Sequence, residues 1–207
     1  MDNAERFRGK YRIPSARWQN WDYGWNGAYF ITIVTKNRIH YFGAVRDGIV
    51  WLSDIGKIAE KYWYEIPNHF SFVRLDEFVV MPNHIHGILI IDKKSQNDDV
   101  IGDDVIVETG HDLSLRLDKR LEQPDKKSDG DNLTPGQKRF RNPGRGTVST
   151  IIGLYKSTVS KFAHKINPEF AWQSRFHDHV IRDANELNRI RYYIRNNPMK
   201  WKDDDLY

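Results

Sequence analysis

Residues 73–91 hold two runs rich in β-branched and aromatic residues, Val73–Met81 and His84–Ile91, separated only by Pro82-Asn83. Such runs read as strands, and so short a connection makes them antiparallel neighbours. The fold must therefore contain an antiparallel sheet with this pair in it. The second run carries His84 and His86, two residues apart. Successive strand side chains alternate between faces, so both imidazoles project to one side, about 6–7 Å apart. Buried imidazoles need partners, and a pair at this spacing can grip one divalent cation.

The other elements follow from pattern. Ala28–Thr35 is a strand by its β-branched and aromatic content. Tyr41–Leu52 reads as a hairpin turning at Asp47-Gly48, a dipeptide suited to the positive φ angles of a tight turn. Ser53 or Asp54 caps a helix that runs to about Glu65, with Ile55, Ile58, Ala59 and Tyr62 as its apolar stripe. Thr147 or Ser149 opens a helix to about Ile166, burying Ile151, Ile152, Tyr155, Val159 and Phe162 and leaving Lys156, Lys161 and Lys165 outside that face. Phe170–Ile181 reads as strand-like. Asp183-Ala184-Asn185-Glu186 fits a capping box for a last helix, which ends near Asn197 because Pro198 disfavours the α conformation before it. Apart from the hairpin, the order is that of an α+β, ferredoxin-like βαββαβ sandwich with an antiparallel sheet and an added C-terminal helix.

Residues 92–146 interrupt this order with a stretch rich in Asp, Lys, Ser and Gly, expected as a flexible insertion in a single domain spanning 1–207, with a short helix near 112–122. Charge is uneven along the chain. Residues 92–134 carry 12 acidic and 7 basic residues, whereas 135–200 carry 13 basic and 4 acidic. A basic half so concentrated suits a polyanionic partner, above all nucleic acid. The N-terminal arm interleaves Arg6, Arg8, Arg12 and Arg17 with Tyr11, Trp18, Trp21, Tyr23 and Trp25; such aromatics either stack bases or tie the arm to the core. There is no cysteine, which excludes disulfides, thiolate zinc sites and cysteine nucleophiles. No apolar run approaches the ~18 residues of a membrane span, and Met1–Arg6 lacks the apolar segment of a secretory signal, so a cytoplasmic protein is expected.

Hard cations such as Mg²⁺ or Mn²⁺ also want oxygen ligands. On the last helix, Leu187, Ile190 and Ile194 form the apolar stripe, with Tyr193 at its edge and Asn197 one turn later. If this helix packs over His84 and His86, the Asn197 oxygen can join the metal while the Tyr193 hydroxyl approaches it. Tyr192 lies about 100° around the helix and is not expected on that face. A tyrosine beside a metal in a basic protein suggests nucleophilic attack on a phosphodiester, with the cation acting as Lewis acid.

Met81-Pro82-Asn83-His84-Ile85-His86-Gly87 resembles the His-hydrophobic-His (HUH) motif of single-tyrosine transposases. The C-terminal segments Trp172-Gln173-Ser174-Arg175-Phe176, His179-Val180-Ile181-Arg182-Asp183 and Tyr193-Ile194-Arg195-Asn196-Asn197-Pro198 resemble the REP-associated tyrosine transposase branch. Gly27-Ala28-Tyr29-Phe30-Ile31-Thr32 and Ile152-Gly153-Leu154-Tyr155-Lys156-Ser157 are also similar to it. The resemblance covers most of the chain except 92–146. It implies a metal-dependent enzyme, monomer or homodimer, that cleaves hairpin-containing single-stranded DNA and leaves a 5′-phosphotyrosine and a free 3′-OH. Carried over, Tyr193 is the nucleophile, and His84, His86 and Asn197 hold Mg²⁺ or Mn²⁺. Arg139, Arg141 and Arg145 are expected to follow phosphates, with Lys156, Gln173 and Arg175 as further DNA contacts, although Gln173 and Arg175 could instead hold the last helix.

Other residues and activities fit parts of the same pattern. Tyr155 is a second candidate nucleophile, but it falls on an apolar stripe and reads as core. His177 and His179 form another spaced pair around Asp178, better suited to hydrogen bonding than to metal. A relaxase- or replication-initiator-like nickase, a non-catalytic nucleic-acid-binding module and a hydrolase using metal-activated water are the alternative functions.

Overall fold

The computed structural model describes residues 6–7, 10–11, 21–93, 144, 146–204 and 206. The bulk of the insertion, its expected helix at 112–122, and Arg139, Arg141 and Arg145 lie outside the described residues. The described residues belong to one compact unit, Met1–Lys93 with Thr134–Tyr207.

Two short strands, β1 (Arg6–Phe7) and β2 (Lys10–Tyr11), pair with each other. The body begins at β3 (Gly27–Val34), followed by the hairpin β4 (Gly43–Arg46) and β5 (Ile49–Leu52). Asp47 and Gly48 take φ of 52° and 73°, the positive values a tight hairpin turn requires. Helix α1 (Asp54–Tyr64) starts where the Ser53 hydroxyl accepts the Gly56 N–H, and a short α2 (Ile66–His69) follows. Strands β6 (Val73–Val80) and β7 (His84–Ile91) precede α3 (Val148–Ala163), which is capped by Thr147. The chain closes with β8 (His177–Ile181), α4 (Ala184–Asn196) and a 3₁₀ segment, Pro198–Asp203.

The main sheet has the order β6-β7-β3-β8, with every neighbouring pair antiparallel. With β3, β6, β7 and β8 as the four strands of βαββαβ, this is the ferredoxin-like arrangement expected from the sequence. Strand β8 is shorter than expected: residues 170–176 make only a bridge, Thr35 to Trp172, and Gln173–Arg175 are exposed. Asp183 accepts the Glu186 N–H, as its capping role requires, while Glu186 reaches back to the Arg182 N–H rather than to Asp183.

Alternation along the strands sorts two cores. Tyr29, Ile31, Ile33, Ile85 and Leu89 pack with Ala59 and Trp63 of α1 and Ile151, Ile152, Tyr155 and Val159 of α3. Gly87 belongs to this side: a Cβ there would stand 2.3 Å from the Trp63 ring, so only glycine lets the indole lie on the strand. The opposite face is smaller. Ile88 and Ile181 meet Ile190 and Ile194 of α4, with Phe30, Val79, Ile90 and Leu187 around them. The arm is tied down where it is described: Tyr23 is buried in the larger core, and Trp21 Nε1 donates to the Tyr29 hydroxyl at 3.1 Å. No helix of the described residues is long and apolar enough to cross a membrane.

Candidate metal and tyrosine site

The alternation that sends Ile88 toward α4 sends His84 and His86 there too, and both are buried. Their ring centroids lie 4.5 Å apart. Register sets Val34 opposite His84 and Thr32 opposite His86 on β3. Thr32 Oγ1 is 2.9 Å from His86 Nδ1, and Asn83 Oδ1 is 2.8 Å from His84 Nδ1. The Asn83 amide has only one workable orientation, because its Nδ2 donates to the carbonyls of Leu206 (2.7 Å) and Arg38 (3.3 Å). Its oxygen must then accept from His84, so His84 carries its proton on Nδ1 and its lone pair on Nε2. That Nε2 is buried and without a hydrogen-bond partner.

Burial also keeps both rings neutral. It pulls the His84 pKa down to about 4, against the attraction of Asp204 and with help from Arg38. It drives His86 well below the usual histidine range, with His84 and His177 adding to the effect. Neutral imidazoles whose Nδ1 atoms are held by hydrogen bonds, leaving Nε2 to an ion, are the form in which histidine binds metal.

Helix α4 brings the tyrosine to the same place. Its seat depends on an irregularity in β6 between Leu75 and Phe78, where the register with β7 shifts. Regular alternation would send Asp76 and Glu77 to opposite faces; both instead meet α4. Arg191 grips Asp76 through two bonds of 2.7 and 2.5 Å, and Arg195 bonds Glu77. The Arg191 guanidinium holds the Asp76 carboxyl below its ordinary pKa. So fixed, α4 sets the Tyr193 hydroxyl 3.1 Å from His86 Nε2 and its ring edge-on to Phe30. Tyr193 is 43% exposed, so it reaches both the buried imidazole and solvent. Asn197 is buried; its Nδ2 donates to Asp204 Oδ2 at 2.6 Å, and its Oδ1 has no partner.

Asp204 is the residue that the sequence argument did not single out. Among the described residues, His84, His86 and Asp204 form a group whose ligand atoms all lie within 4.8 Å of one another. Asp204 Oδ2 also accepts from the Tyr193 hydroxyl at 3.4 Å, and Oδ1 accepts the Leu206 N–H. Two neutral imidazoles, one carboxylate and the unpartnered Asn197 oxygen fit a divalent cation.

The remaining candidates fall elsewhere. Tyr155 is buried, donates to the Ala59 carbonyl at 2.9 Å, and has its pKa pushed well above 10 by burial. His179 pairs with Glu186 at 2.9 Å, and His177 is exposed in register with Thr32, so neither joins the metal group. The Lys156 amine donates to the Gln173 carbonyl at 2.6 Å. The Gln173 N–H bonds the Val34 carbonyl, which sets Gln173 at the end of β3, and Arg175 is exposed.

A Haemophilus influenzae protein described as "Uncharacterized protein" is 32% identical over 200 residues, covering 96% of this chain and 95% of its own. This chain belongs to that protein's family. The sequence matches no protein-family model. In the solved structures, the chain is similar to a REP-associated tyrosine transposase bound to a REP hairpin, with a TM-score of 0.52 and 15% identity over 91% of this chain and 74% of that one. The family member described here therefore has the tyrosine transposase fold. A putative transposase from Deinococcus radiodurans is also similar, with a TM-score of 0.38 and 10% identity over 89% of this chain and 96% of that one.

Proposed function

We propose that this protein is a divalent-metal-dependent transposase-type enzyme that cleaves and rejoins single-stranded DNA through a tyrosine linkage. The observation that carries the proposal is the Tyr193 hydroxyl set 3.1 Å from His86 Nε2, within the group formed by His84, His86 and Asp204. His84, His86 and Asp204 would hold the cation, with the Asn197 oxygen as a further ligand. Bound there, Mn²⁺ or Mg²⁺ supplies Lewis-acid polarisation of the scissile phosphate. The imidazole donors favour Mn²⁺ of the two.

Tyr193 attacks phosphorus, the bond to the 3′ oxygen breaks, and the products are a 5′-phosphotyrosine and a free 3′-OH. The hydroxyl proton has an acceptor in Asp204 Oδ2, 3.4 Å away, and the departing 3′ oxygen takes up a proton. Because the phosphotyrosine keeps the energy of the phosphodiester, attack by a 3′-OH reverses the step and joins strands. A hairpin-containing substrate is supported by the likeness to the hairpin-bound transposase fold. Gln173, tied to the end of β3, and the exposed Arg175 are the residues we assign to contact it.

The test is incubation with labelled single-stranded hairpin DNA and Mn²⁺, followed by a denaturing gel. A DNA–protein adduct that disappears in Tyr193→Phe and in His84→Ala is expected. Cleavage by the wild type without any adduct would point to metal-activated water instead.

A further inference from the structure

Beside the nucleophile lies a cleft of about 290 Å³. Its lining from α4 onward is Arg189, Tyr192, Tyr193, Asn196, Asn197 and Lys200, followed by Asp203 and Asp204. The first six follow steps of three and four residues, or one, so they form a single stripe along the helix and into the 3₁₀ segment. Tyr192, although turned about 100° from Tyr193, thus forms a wall of the space into which Tyr193 opens. Its ring is 63% exposed, so its face is open to a ligand in the cleft. Arg189 is 78% exposed, with only a 3.5 Å contact to Glu186, and Lys200 is exposed as well. Of the two acids, Asp204 belongs to the metal group, where a cation offsets its charge.

We infer that this cleft is a nucleotide subsite, taking the unpaired nucleotide next to the scissile phosphate. The base stacks on the Tyr192 ring, and Arg189 and Lys200 hold the flanking backbone. An exposed ring flanked by two cations is the arrangement that binds single strands with little regard to sequence, because every base offers a π face. A volume near the lower end of the ~300–1,000 Å³ typical of small-ligand sites suits one such unit. The assignment rests on the strand-transfer reading for its choice of ligand but is separable from it in experiment.

The measurement is fluorescence anisotropy of a short labelled mixed-sequence single strand, in a Tyr193→Phe background so that no covalent product forms. Tyr192→Ala is expected to weaken binding by about tenfold, the worth of one base–aromatic stack, and Tyr192→Phe to restore it. Arg189→Gln with Lys200→Gln is expected to lower the slope of log affinity against log salt by about 1.4, roughly 0.7 per lost phosphate contact. A blunt duplex should be indifferent to Tyr192. Equal binding by Tyr192→Ala and Tyr192→Phe, or an unchanged salt slope, overturns the subsite. If the otherwise wild-type protein forms no adduct while single-strand binding still depends on the Tyr192 ring, the catalytic reading fails and the subsite stands.

Discussion

Tyr155 and Tyr193 sit on helices that cover opposite faces of one sheet, and the two faces make opposite use of a phenol. On the α1/α3 side, Tyr155 is sealed among Trp63, Ala59 and Trp172, and its hydroxyl serves one backbone carbonyl. Desolvation there opposes a phenolate, which is what a nucleophile must approach. On the α4 side the apolar cluster is small, and polar groups fill the rest: His84, His86, Thr32, Asn83 and Asn197. One face is built for stability; the other gives up apolar burial to hold imidazoles in a fixed orientation beside an accessible hydroxyl.

The sharpest way to break this contrast is to remove each hydroxyl. Tyr193→Phe should lower adduct formation by roughly 10³-fold or more, as loss of a nucleophile does. Tyr155→Phe should leave the adduct in place and cost about 1 kcal/mol in denaturant unfolding, the worth of one buried hydrogen bond. The reverse pattern would exchange the roles of the faces. Next in size, His84→Ala should abolish the rise in melting temperature that Mn²⁺ gives the wild type. Asp204→Asn and Asn197→Ala, compared by Mn²⁺ titration, rank the two oxygen donors; the carboxylate should matter more, since it brings a charge.

On the packed face, Gly87→Ala forces a methyl against Trp63 and should cost about 1–3 kcal/mol, read as a lower urea midpoint. A last effect concerns acid. The pKa of His84 falls from its ordinary 6.5 to about 4 on folding, so the unfolded chain binds the extra proton first. Metal-free protein should be fully stabilised above about pH 6.5 and lose stability as pH falls toward 4. His84→Ala should make that part of the profile shallower, with His86 accounting for the slope that remains, whereas Tyr155→Phe should not change it.

Periodicity made much of this legible. The spacing of His84 and His86 placed them on one face, and Leu187, Ile190 and Ile194 turned α4 so that Tyr193 met them. Asp204 was not legible because the 3₁₀ segment after Pro198 carries no strong pattern, and Asp203-Asp204-Asp205 reads as a solvated tail. Its position depends on a long-range tie, Asn83 to the Leu206 carbonyl, and on a bond from Asn197 to the carboxylate itself. The seat of α4 was hidden for a similar reason. Asp76-Glu77 and Arg191/Arg195 are ordinary charged pairs in sequence, and only the shifted register joins them. Residues 170–176 read as strand because their aromatics are β-formers; those aromatics instead pack on the core from an irregular segment.

The central claim is that the chemistry belongs to the α4 face and to one tyrosine on it. It is tested most directly by trapping the adduct with single-stranded hairpin DNA and Mn²⁺, digesting the protein, and sequencing the DNA-linked peptide by mass spectrometry. The prediction is a single phosphonucleotide-bearing residue, Tyr193. A nucleotide on Tyr155, or on Tyr192 in place of Tyr193, would contradict the account.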